Sequence, residues 1–233
     1  MKTFISAIVM LLISCIGHAA DENLPYQKEY EPPGGKGRVV ILISGASGTP
    51  NYTGLARDIA EQGYYAVLID SNEFWPKDGS PADDYIQKFE LLKKVILRAQ
   101  QSPHALPGKV GVIAFSKGGG PALTFAARMP DLVSAVAAFY PMTYFIKDPN
   151  DFVARIQVPT LLMAGVRDTY KNCCVIGKAR DLAAAVSQGR SQLEVVEYDA
   201  AHNWNLRGSA WHSETATESF RRTLQHLRQY QDK

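Results

Sequence analysis

One stretch near the middle of the chain restricts the possible folds more than any other. It begins with an apolar, β-branched run (residues 110–115), which ends directly on Ser116 and is followed by three glycines. Small and apolar residues with helical spacing come next. The pattern predicts a strand that passes into a helix through a sharp turn, with Ser116 at the turn. So tight a turn requires small residues two positions before and after it, and Ala114 and Gly118 meet that requirement.

The turn matches small-x-Ser-x-Gly, the pattern of a nucleophile elbow, in which N–H groups at the start of the helix point at the serine oxygen. The alternative is a serine in a glycine-rich loop that cradles a phosphate. The loop after the first long apolar run (residues 45–48) raises the same alternative, but it lacks both Gly-Lys-Ser/Thr and the G-x-G-x-x-G spacing. We therefore favour a nucleophilic serine at position 116.

Apolar runs of strand length alternate with amphipathic helical patterns along the rest of the chain. Continuous apolar runs are typical of strands buried on both faces of a parallel sheet. With no internal repeat, the order predicts an α/β fold, a doubly wound and mostly parallel sheet with helices on both faces. We expect strands at 38–44, 64–69, 110–115, 132–140, 160–165 and 192–198, helices at 51–62, 83–101, 119–130, 172–189 and 208–232, and a long loop at 70–82.

The first twenty residues carry a targeting pattern. Lys2 precedes an apolar run (residues 4–16), small residues follow, and polar sequence begins at Asp21. The run is too short for a permanent membrane span, so it predicts a signal peptide (residues 1–20) that is cleaved after Ala19. The alternative is a lipoprotein box that lipidates Cys15 and anchors the chain to a membrane. Both interpretations predict export, to the periplasm or the medium in the first case.

After the signal, we expect a polar lead-in (21–37), at most paired as an edge strand, and a single domain (38–233). Removing Lys2 from a chain of formal charge +2 leaves +1. So small a charge argues against nucleic acid or an anionic membrane surface as a partner. Cys173 and Cys174 are too few for a disulfide framework, and in an oxidising compartment we expect a vicinal disulfide or two packed thiols.

Catalytic residues are expected where strands end, because parallel α/β sheets bind ligands beyond the carboxyl ends of their strands. A serine hydroxyl needs an imidazole to take its proton. His202 directly follows the last predicted strand and is the base that we expect. His104 precedes the elbow strand, at the opposite end of the sheet. His212 is displaced to the start of the last helix, and His226 is expected on the surface of that helix.

An acid is needed to orient the imidazole, and Asp168, just past the strand at 160–165, is the one that we expect. The order serine, acid, histidine along the chain is that of α/β-hydrolases and differs from the two other common serine triads. Asp70 also ends a strand, but it precedes the serine, and turn capping accounts for it. Asp199 is too near His202 in sequence to reach the ring without distortion.

Two backbone N–H groups must stabilise the negative charge that develops on a substrate carbonyl. Lys117, directly after the serine, supplies one, and Ala46, in the loop after the first long apolar run, supplies the second. Trp75 and Trp204 stand in strand-end loops, where each either lines the substrate pocket or packs in the core. The sequence calls for no metal and no cofactor.

Three segments resemble the triad blocks of the dienelactone hydrolase family: residues 115–120, 164–168 and 198–202. Residues 216–227 are similar to that family's last helix, and the resemblance extends over about residues 38–230. It implies the α/β-hydrolase fold with Ser116, Asp168 and His202 at the triad positions. The name-giving enzymes of the family use a cysteine nucleophile, whereas this chain has a serine. The resemblance therefore favours a general ester or lactone substrate over dienelactone itself.

The sequence thus predicts an exported serine hydrolase that cleaves a small carboxylic ester or lactone through an acyl-enzyme on Ser116. One alternative is a peptidase or acyltransferase with the same triad. Another is a binding protein that keeps the fold without turnover, although degenerate relatives usually lose the serine or the histidine. The oligomeric state is left open.

Overall fold

The computed structural model describes residues 24–25, 27–187, 192–208 and 210–231 of the 233-residue chain. The predicted signal peptide and the alternative lipid attachment at Cys15 lie outside these residues. Within the described ranges, no helix combines the length and the apolar character needed to cross a membrane.

Among the residues that the structure describes, seven strands form a single sheet. They are β1 Gln27–Tyr30, β2 Gly37–Ile43, β3 Tyr65–Ile69, β4 Ala105–Phe115, β5 Val133–Phe139, β6 Thr160–Gly165 and β7 Leu193–Tyr198. Their spatial order is β1-β3-β2-β4-β5-β6-β7. All neighbours pair parallel except β1, which pairs antiparallel with β3 and brings part of the predicted lead-in onto the edge of the sheet. The predicted α/β fold is confirmed.

The sheet separates two hydrophobic layers, because successive side chains of a strand point to opposite faces. In β2, Ile41 and Ile43 pack into one layer, and Val40 and Leu42 pack into the other. These side chains are fully buried, which explains why the strand is continuously apolar in sequence.

The described part of the chain also contains seven α-helices. They are α1 Thr53–Glu61, α2 Ser71–Phe74, α3 Ala82–Gln100, α4 Gly119–Thr124, α5 Pro149–Ala154, α6 Ile176–Ser187 and α7 Ser213–Gln231. Ile59 of α1 and Leu227 of α7 pack on one face of the sheet. Val95 of α3, Leu123 of α4 and Leu182 of α6 pack on the other. These five helices therefore bury their apolar stripes against the sheet.

The segment expected to be a loop at 70–82 contains a short helix, α2. Asp70 caps it, since the Asp70 carboxylate accepts the backbone N–H of Asn72 at 2.9 Å. The helix after it, α3, begins at Ala82 behind Pro81. Asp83 and Asp84 thus lie inside its first turn, where their negative charge favours the helix N-terminus without capping it.

The expected helix at 119–130 is broken after one and a half turns. It consists of α4 and a separate 3-10 turn, Ala126–Arg128. The helix expected to start at Asn172 begins four residues later, because Lys171 and Asn172 have positive φ angles of 47° and 53°. That left-handed backbone excludes a helix start and shapes the loop that follows β6.

Candidate active site

Ser116 lies at the point where β4 becomes a helix. Its φ angle is +50°, a left-handed conformation that a serine adopts only when the surrounding structure enforces it. The chain continues directly into a 3-10 turn, Ser116–Gly118, and then α4. Ser116 is nearly buried, and its carbonyl oxygen accepts the N–H of Met142 at 2.8 Å. This is the strained strand-turn-helix that the sequence predicts.

Close backbone approach explains the glycines after Ser116. A Cβ atom on Gly118 would lie 2.5 Å from the carbonyl oxygen of Ser44, and one on Gly119 would lie 2.2 Å from Cβ of Pro141. Neither backbone has room to move, so only glycine fits. Ala114, two residues before Ser116, is fully buried in β4, where the sheet leaves space for a methyl group.

Three side chains from three strand ends form a continuous hydrogen-bonded chain. Oγ of Ser116 lies 2.9 Å from Nε2 of His202, and Nδ1 of His202 lies 2.6 Å from Oδ2 of Asp168. All three residues are buried. The other carboxylate oxygen of Asp168 accepts the backbone N–H of Tyr170 at 3.0 Å. In this arrangement the imidazole can accept the serine proton while the carboxylate fixes its orientation.

Backbone contacts hold the acid and the base together. After β6, the N–H of Asp168 donates to the carbonyl of Gly165 at 3.1 Å, which closes a tight turn. The N–H of the next residue back, Arg167, donates to the carbonyl of Ala200 at 3.1 Å. That bond ties the turn after β6 to the segment that leads from β7 to His202.

Two tyrosines hold the imidazole of His202 in place. The ring of Tyr170 stacks on it with centroids 4.6 Å apart and planes 9° from parallel. The ring of Tyr140 approaches it with centroids 4.7 Å apart. The hydroxyl of Tyr140 donates to Oδ1 of Asn205 at 2.5 Å. Burial raises the pKa of Tyr140 well above its ordinary value, so this hydroxyl stays a neutral donor.

The structure does not bring the rival acids to His202. Asp70 serves as the cap of α2. The side chain of Asp199 is 82% exposed and pairs with the guanidinium of Arg167 at 2.9 Å. Among the described residues, none of the five rival groups, two carboxylates and three imidazoles, forms a hydrogen bond with Ser116 or His202.

The expectation that His226 lies on the surface is wrong. The residue is buried, and its Nε2 is 3.1 Å from the carbonyl oxygen of Pro159. Burial lowers its pKa below the ordinary value. Its position in sequence, three residues after Thr223 and one before Leu227, already matched the apolar stripe of α7.

The two expected oxyanion donors lie in elements that flank Ser116. Lys117 is in the first turn of its 3-10 helix, where a backbone N–H has no acceptor within the helix. Ala46 follows β2, in a loop that Asn72 ties down. The amide nitrogen of Asn72 donates to the carbonyl of Ala46 at 3.4 Å, and its amide oxygen accepts from Nζ of Lys117 at 2.7 Å. Asn72 therefore links the two donor segments.

Gly45 lies directly beside Ser116. A Cβ atom on Gly45 would lie 3.3 Å from Cβ of Ser116 and 2.3 Å from the hydroxyl oxygen of Tyr52. Tyr52 is buried, and burial raises its pKa to about 12. A hydrogen bond from the backbone N–H of Gly45 lowers the pKa of Tyr52, but by less than burial raises it. The loop after β2 is thus packed against a neutral tyrosine hydroxyl.

Trp75 and Trp204 pack in the core of the structure, the second of the two roles considered for each. Trp204 is fully buried, and its indole N–H donates to Oγ of Ser219 at 3.2 Å. Trp75 packs against the rings of Phe145 and Phe125 and covers the backbone of α4. Asn203 has a φ angle of +62°, and this turn directs the chain after His202 back into the core.

Cys173 and Cys174 form a vicinal disulfide, the first of the two forms expected for this pair. Sulfur of Cys174 lies within 4.8 Å of the nearest ligand atoms of Asp168 and His202. These three residues are the one set among the described residues with the spacing of a metal site. The disulfide occupies the sulfur, and the carboxylate and imidazole already bond to each other, so their donor atoms are engaged.

Sequence reasoning missed Tyr140, Tyr170 and Asn205, which surround His202 without belonging to any motif. Tyr140 has a φ angle of +37° directly after β5, so it also occupies a strand end. Its position at a strand end could have indicated that it lies near the site, because Ser116, Asp168 and His202 also follow strand ends.

Comparison with known proteins places this geometry in a family. The family model described as the dienelactone hydrolase family matches residues 28–231, which is nearly the whole chain. The chain belongs to the dienelactone hydrolase family. The sequence resemblance to that family is thereby confirmed. No curated protein matches the chain.

Solved structures share the fold of this dienelactone hydrolase family member. A candidate dienelactone hydrolase from Klebsiella pneumoniae superposes with a TM-score of 0.72 at 21% identity, over 88% of this chain and 92% of the other. A dienelactone hydrolase-like promiscuous phosphotriesterase from metagenomic libraries gives 0.67 at 17% identity, over 88% and 92%. A dienelactone hydrolase from Anabaena variabilis gives 0.58 at 18% identity, over 88% and 91%. At these identities the likeness establishes the fold alone, and the α/β-hydrolase prediction is confirmed.

Proposed function

We propose that this family member is a serine hydrolase that cleaves a small carboxylic ester or lactone. The single observation that carries the proposal is the hydrogen-bonded chain from Ser116 through His202 to Asp168, with distances of 2.9 Å and 2.6 Å. A hydroxyl, a base and an orienting acid in contact are the requirements of acyl transfer through a covalent intermediate. Membership of a hydrolase family supports the same reaction class.

In the first half of the reaction, Oγ of Ser116 attacks the ester carbonyl carbon while Nε2 of His202 takes the hydroxyl proton. The carbonyl π-electrons move to oxygen, and the N–H groups of Ala46 and Lys117 stabilise the oxyanion. When the tetrahedral intermediate collapses, the bond to the alcohol oxygen breaks, and the imidazolium returns its proton to that oxygen. The products are an alcohol and an acyl group on Ser116; with a lactone, both stay on one molecule.

In the second half, water replaces the alcohol. Nε2 of His202 removes a proton from water as its oxygen attacks the acyl carbon, and the same proton then returns to Oγ of Ser116. Asp168 stays ionised throughout and stabilises the imidazolium that forms twice in each cycle. Tyr170 and Tyr140 limit the movement of the ring between the two positions that it must serve.

A small substrate fits the surroundings of Ser116 better than a long acyl chain. The segment between β3 and α3 is occupied by α2 and by the buried Trp75, so it packs as part of the body. Ser116 and His202 are each less than a tenth exposed, which restricts access to compact carbonyl groups. Peptidase or acyltransferase activity uses the same three residues, and the substrate test below separates them.

The reaction is tested with esters and lactones of graded chain length, together with peptide p-nitroanilides and acyl acceptors. We expect hydrolysis of short esters or lactones by the wild type and its loss in Ser116→Ala. Ser134→Ala is the matched control, because Oγ of Ser134 bonds only to the carbonyl of Val110, away from His202. Cleavage of peptide p-nitroanilides without ester hydrolysis, or equal rates in Ser116→Ala, would refute the proposal.

We further propose that the protein is exported. Two features support this, the targeting pattern of residues 1–20 and the Cys173–Cys174 disulfide, since disulfides persist in oxidising compartments. The test is the intact mass of the full chain after expression in a Gram-negative bacterium. A mature chain that begins after Ala19 supports a soluble exported form, a lipid-bearing Cys15 supports the anchored form, and an uncleaved chain refutes export.

A further inference from the structure

A large cavity of about 560 Å³ lies beside the segment that follows His202 and does not include Ser116 among its lining residues. It opens between α1, residues 203–208 and 210–211, and the start of α7. Its volume falls in the range of small-molecule sites, about 300–1,000 Å³. Its lining includes Leu55, Asp58, Asn205, Arg207, Trp211 and Phe220.

Asn205 is the one deeply buried polar side chain of this wall. It is 6% exposed, and its Oδ1 accepts the hydroxyl of Tyr140 at 2.5 Å. Its Nδ2 is buried and has no hydrogen-bond acceptor among the described residues. A buried amide without an acceptor destabilises the fold, and the large majority of buried polar groups in native proteins have a hydrogen-bond partner.

A second, much smaller void of about 10 Å³ adjoins the cavity, and Leu55, Asn205 and Phe220 line both. Asn205 therefore lies at the boundary between the two. A void of this size holds about one oxygen atom. A water molecule needs two to four polar partners. The void offers two polar side chains, Asn205 and Thr223, which is the minimum for a water, and the Thr223 hydroxyl has no proton left to donate because it already donates to the carbonyl of Ser219.

These conditions favour a single acceptor atom that is covalently attached to an apolar body. A ligand carbonyl oxygen can accept from Nδ2 of Asn205 in the void, while the remainder of the ligand covers Leu55 and Phe220 in the cavity. Unlike water, such an oxygen needs no further donor or acceptor around it.

The charges at the rim balance each other. Burial and the neighbouring Glu61 raise the pKa of Asp58, and the guanidinium of Arg207 opposes this by lowering it. The same guanidinium lies over the ring of Trp211, with its carbon 5.6 Å from the ring centroid. One acid and one base at the same opening give no net attraction to an anion or a cation. An uncharged ligand is thus the class that the rim admits best.

We propose that this cavity is a second binding site, for an uncharged small molecule with an aromatic or branched aliphatic body and a carbonyl acceptor. Asn205 donates to that acceptor, and Leu55, Phe220 and Trp211 cover the apolar body. The lining of this site does not include Ser116, and binding there does not depend on whether the protein hydrolyses esters.

The test is titration of the full chain with acetanilide, an uncharged aryl amide with one carbonyl oxygen, followed by the indole N–H signals in proton–nitrogen NMR spectra. The chain has three tryptophans, and only Trp211 lines the cavity, so Trp75 and Trp204 are internal controls. We expect a saturable shift of the Trp211 signal. The same Kd in Ser116→Ala establishes that the probe does not occupy the serine site.

Two matched variants test the role assigned to Asn205. Asn205→Leu keeps the branched shape and the number of side-chain heavy atoms and removes the donor, and we expect Kd to rise about tenfold, the value of one hydrogen bond. Tyr140→Phe removes the other partner of the Asn205 amide and keeps Nδ2, so Kd should stay within about threefold.

A third variant covers the case in which Asn205→Leu does not fold. Gly54 lies at the cavity, and a Cβ atom there meets nothing within 4 Å, so Gly54→Phe is tolerated and obstructs the opening. We expect it to abolish the Trp211 shift. The proposal is overturned if the wild type shows no saturable shift, if Ser116→Ala abolishes it, or if a folded Asn205→Leu or Gly54→Phe binds acetanilide with the wild-type Kd.

Discussion

Tyr170 stacks on the imidazole of His202, with ring centroids 4.6 Å apart and planes 9° from parallel. The backbone N–H of the same tyrosine donates to Asp168, the partner of that imidazole, at 3.0 Å. One residue therefore contacts both the base and the acid, through its ring and its backbone respectively. Its ring is 41% exposed, so it can be changed at little cost to the core.

Replacing Tyr170 by alanine separates these two contacts. We expect Tyr170→Ala to lower kcat by up to about tenfold, because ring stacking is worth about 0.5–1.5 kcal/mol and the backbone bond to Asp168 remains. Tyr170→Phe keeps the ring and should keep kcat. The measurement is steady-state kinetics on a short ester, with thermal unfolding of both variants as a control. Equal losses in the two variants would mean that stacking does not position His202.

The acid is tested by removing its charge. We expect Asp168→Asn to fold and to lower kcat by roughly 10⁴-fold, because an amide stabilises the wrong tautomer of the imidazole. Asp70→Asn is the control, since Asn also caps a helix and Asp70 does not touch His202. Its kcat should stay within a few-fold of the wild type. If Asp70→Asn is the more damaging change, the acid has been assigned wrongly.

A methyl group at the elbow should destabilise the fold. In Gly118→Ala the new Cβ lies 2.5 Å from the carbonyl oxygen of Ser44, and overpacking of this kind costs about 1–3 kcal/mol. In Gly177→Ala, within α6, the new Cβ meets nothing within 4 Å, so a gain of up to about 1 kcal/mol is expected. Urea unfolding measures both free energies. Equal stabilities would contradict the close approach at Gly118.

Stability should fall at acid pH because of His226. Burial lowers the pKa of His226 in the folded chain, so below about pH 6.5 the unfolded chain binds a proton that the folded chain does not. The free energy of unfolding then decreases toward lower pH, with a limiting slope of about 1.4 kcal/mol per pH unit, until the lowered pKa is reached.

His226→Gln keeps a donor for the carbonyl of Pro159 and removes the titrating ring. Urea unfolding at several pH values between about 7.5 and 5 should show a free energy of unfolding that depends less on pH in this variant than in the wild type. Parallel profiles would mean that other groups cause the acid sensitivity.

The sequence was informative about the residues whose positions follow from strand order. Ser116, Asp168 and His202 each follow a buried apolar run, and parallel strands bring their carboxyl ends to one edge, so their proximity could be predicted. The elbow could be predicted as well, because its strained turn requires small residues at fixed spacing.

The surroundings of these residues depend on loop conformations that leave little trace in sequence. The left-handed residues Lys171, Asn172 and Asn203 direct Tyr170 toward His202 and Trp204 away from the surface. None of them is a glycine, and although asparagine is enriched in the left-handed region, its presence alone does not locate such a turn. The burial of His226 likewise depends on how α7 rotates against the sheet, and one polar residue in an apolar stripe does not reveal that rotation.

The central claim is that Ser116 carries the acyl group, and trapping that intermediate tests it most directly. The protein is mixed rapidly with p-nitrophenyl acetate, quenched in acid and digested, and the peptides are measured by mass spectrometry. We expect one acetyl group, on the peptide that contains Ser116, and none in His202→Ala or Ser116→Ala. Hydrolysis of the ester with no acetyl group on any peptide, or with an acetyl group on a different residue, would contradict the account.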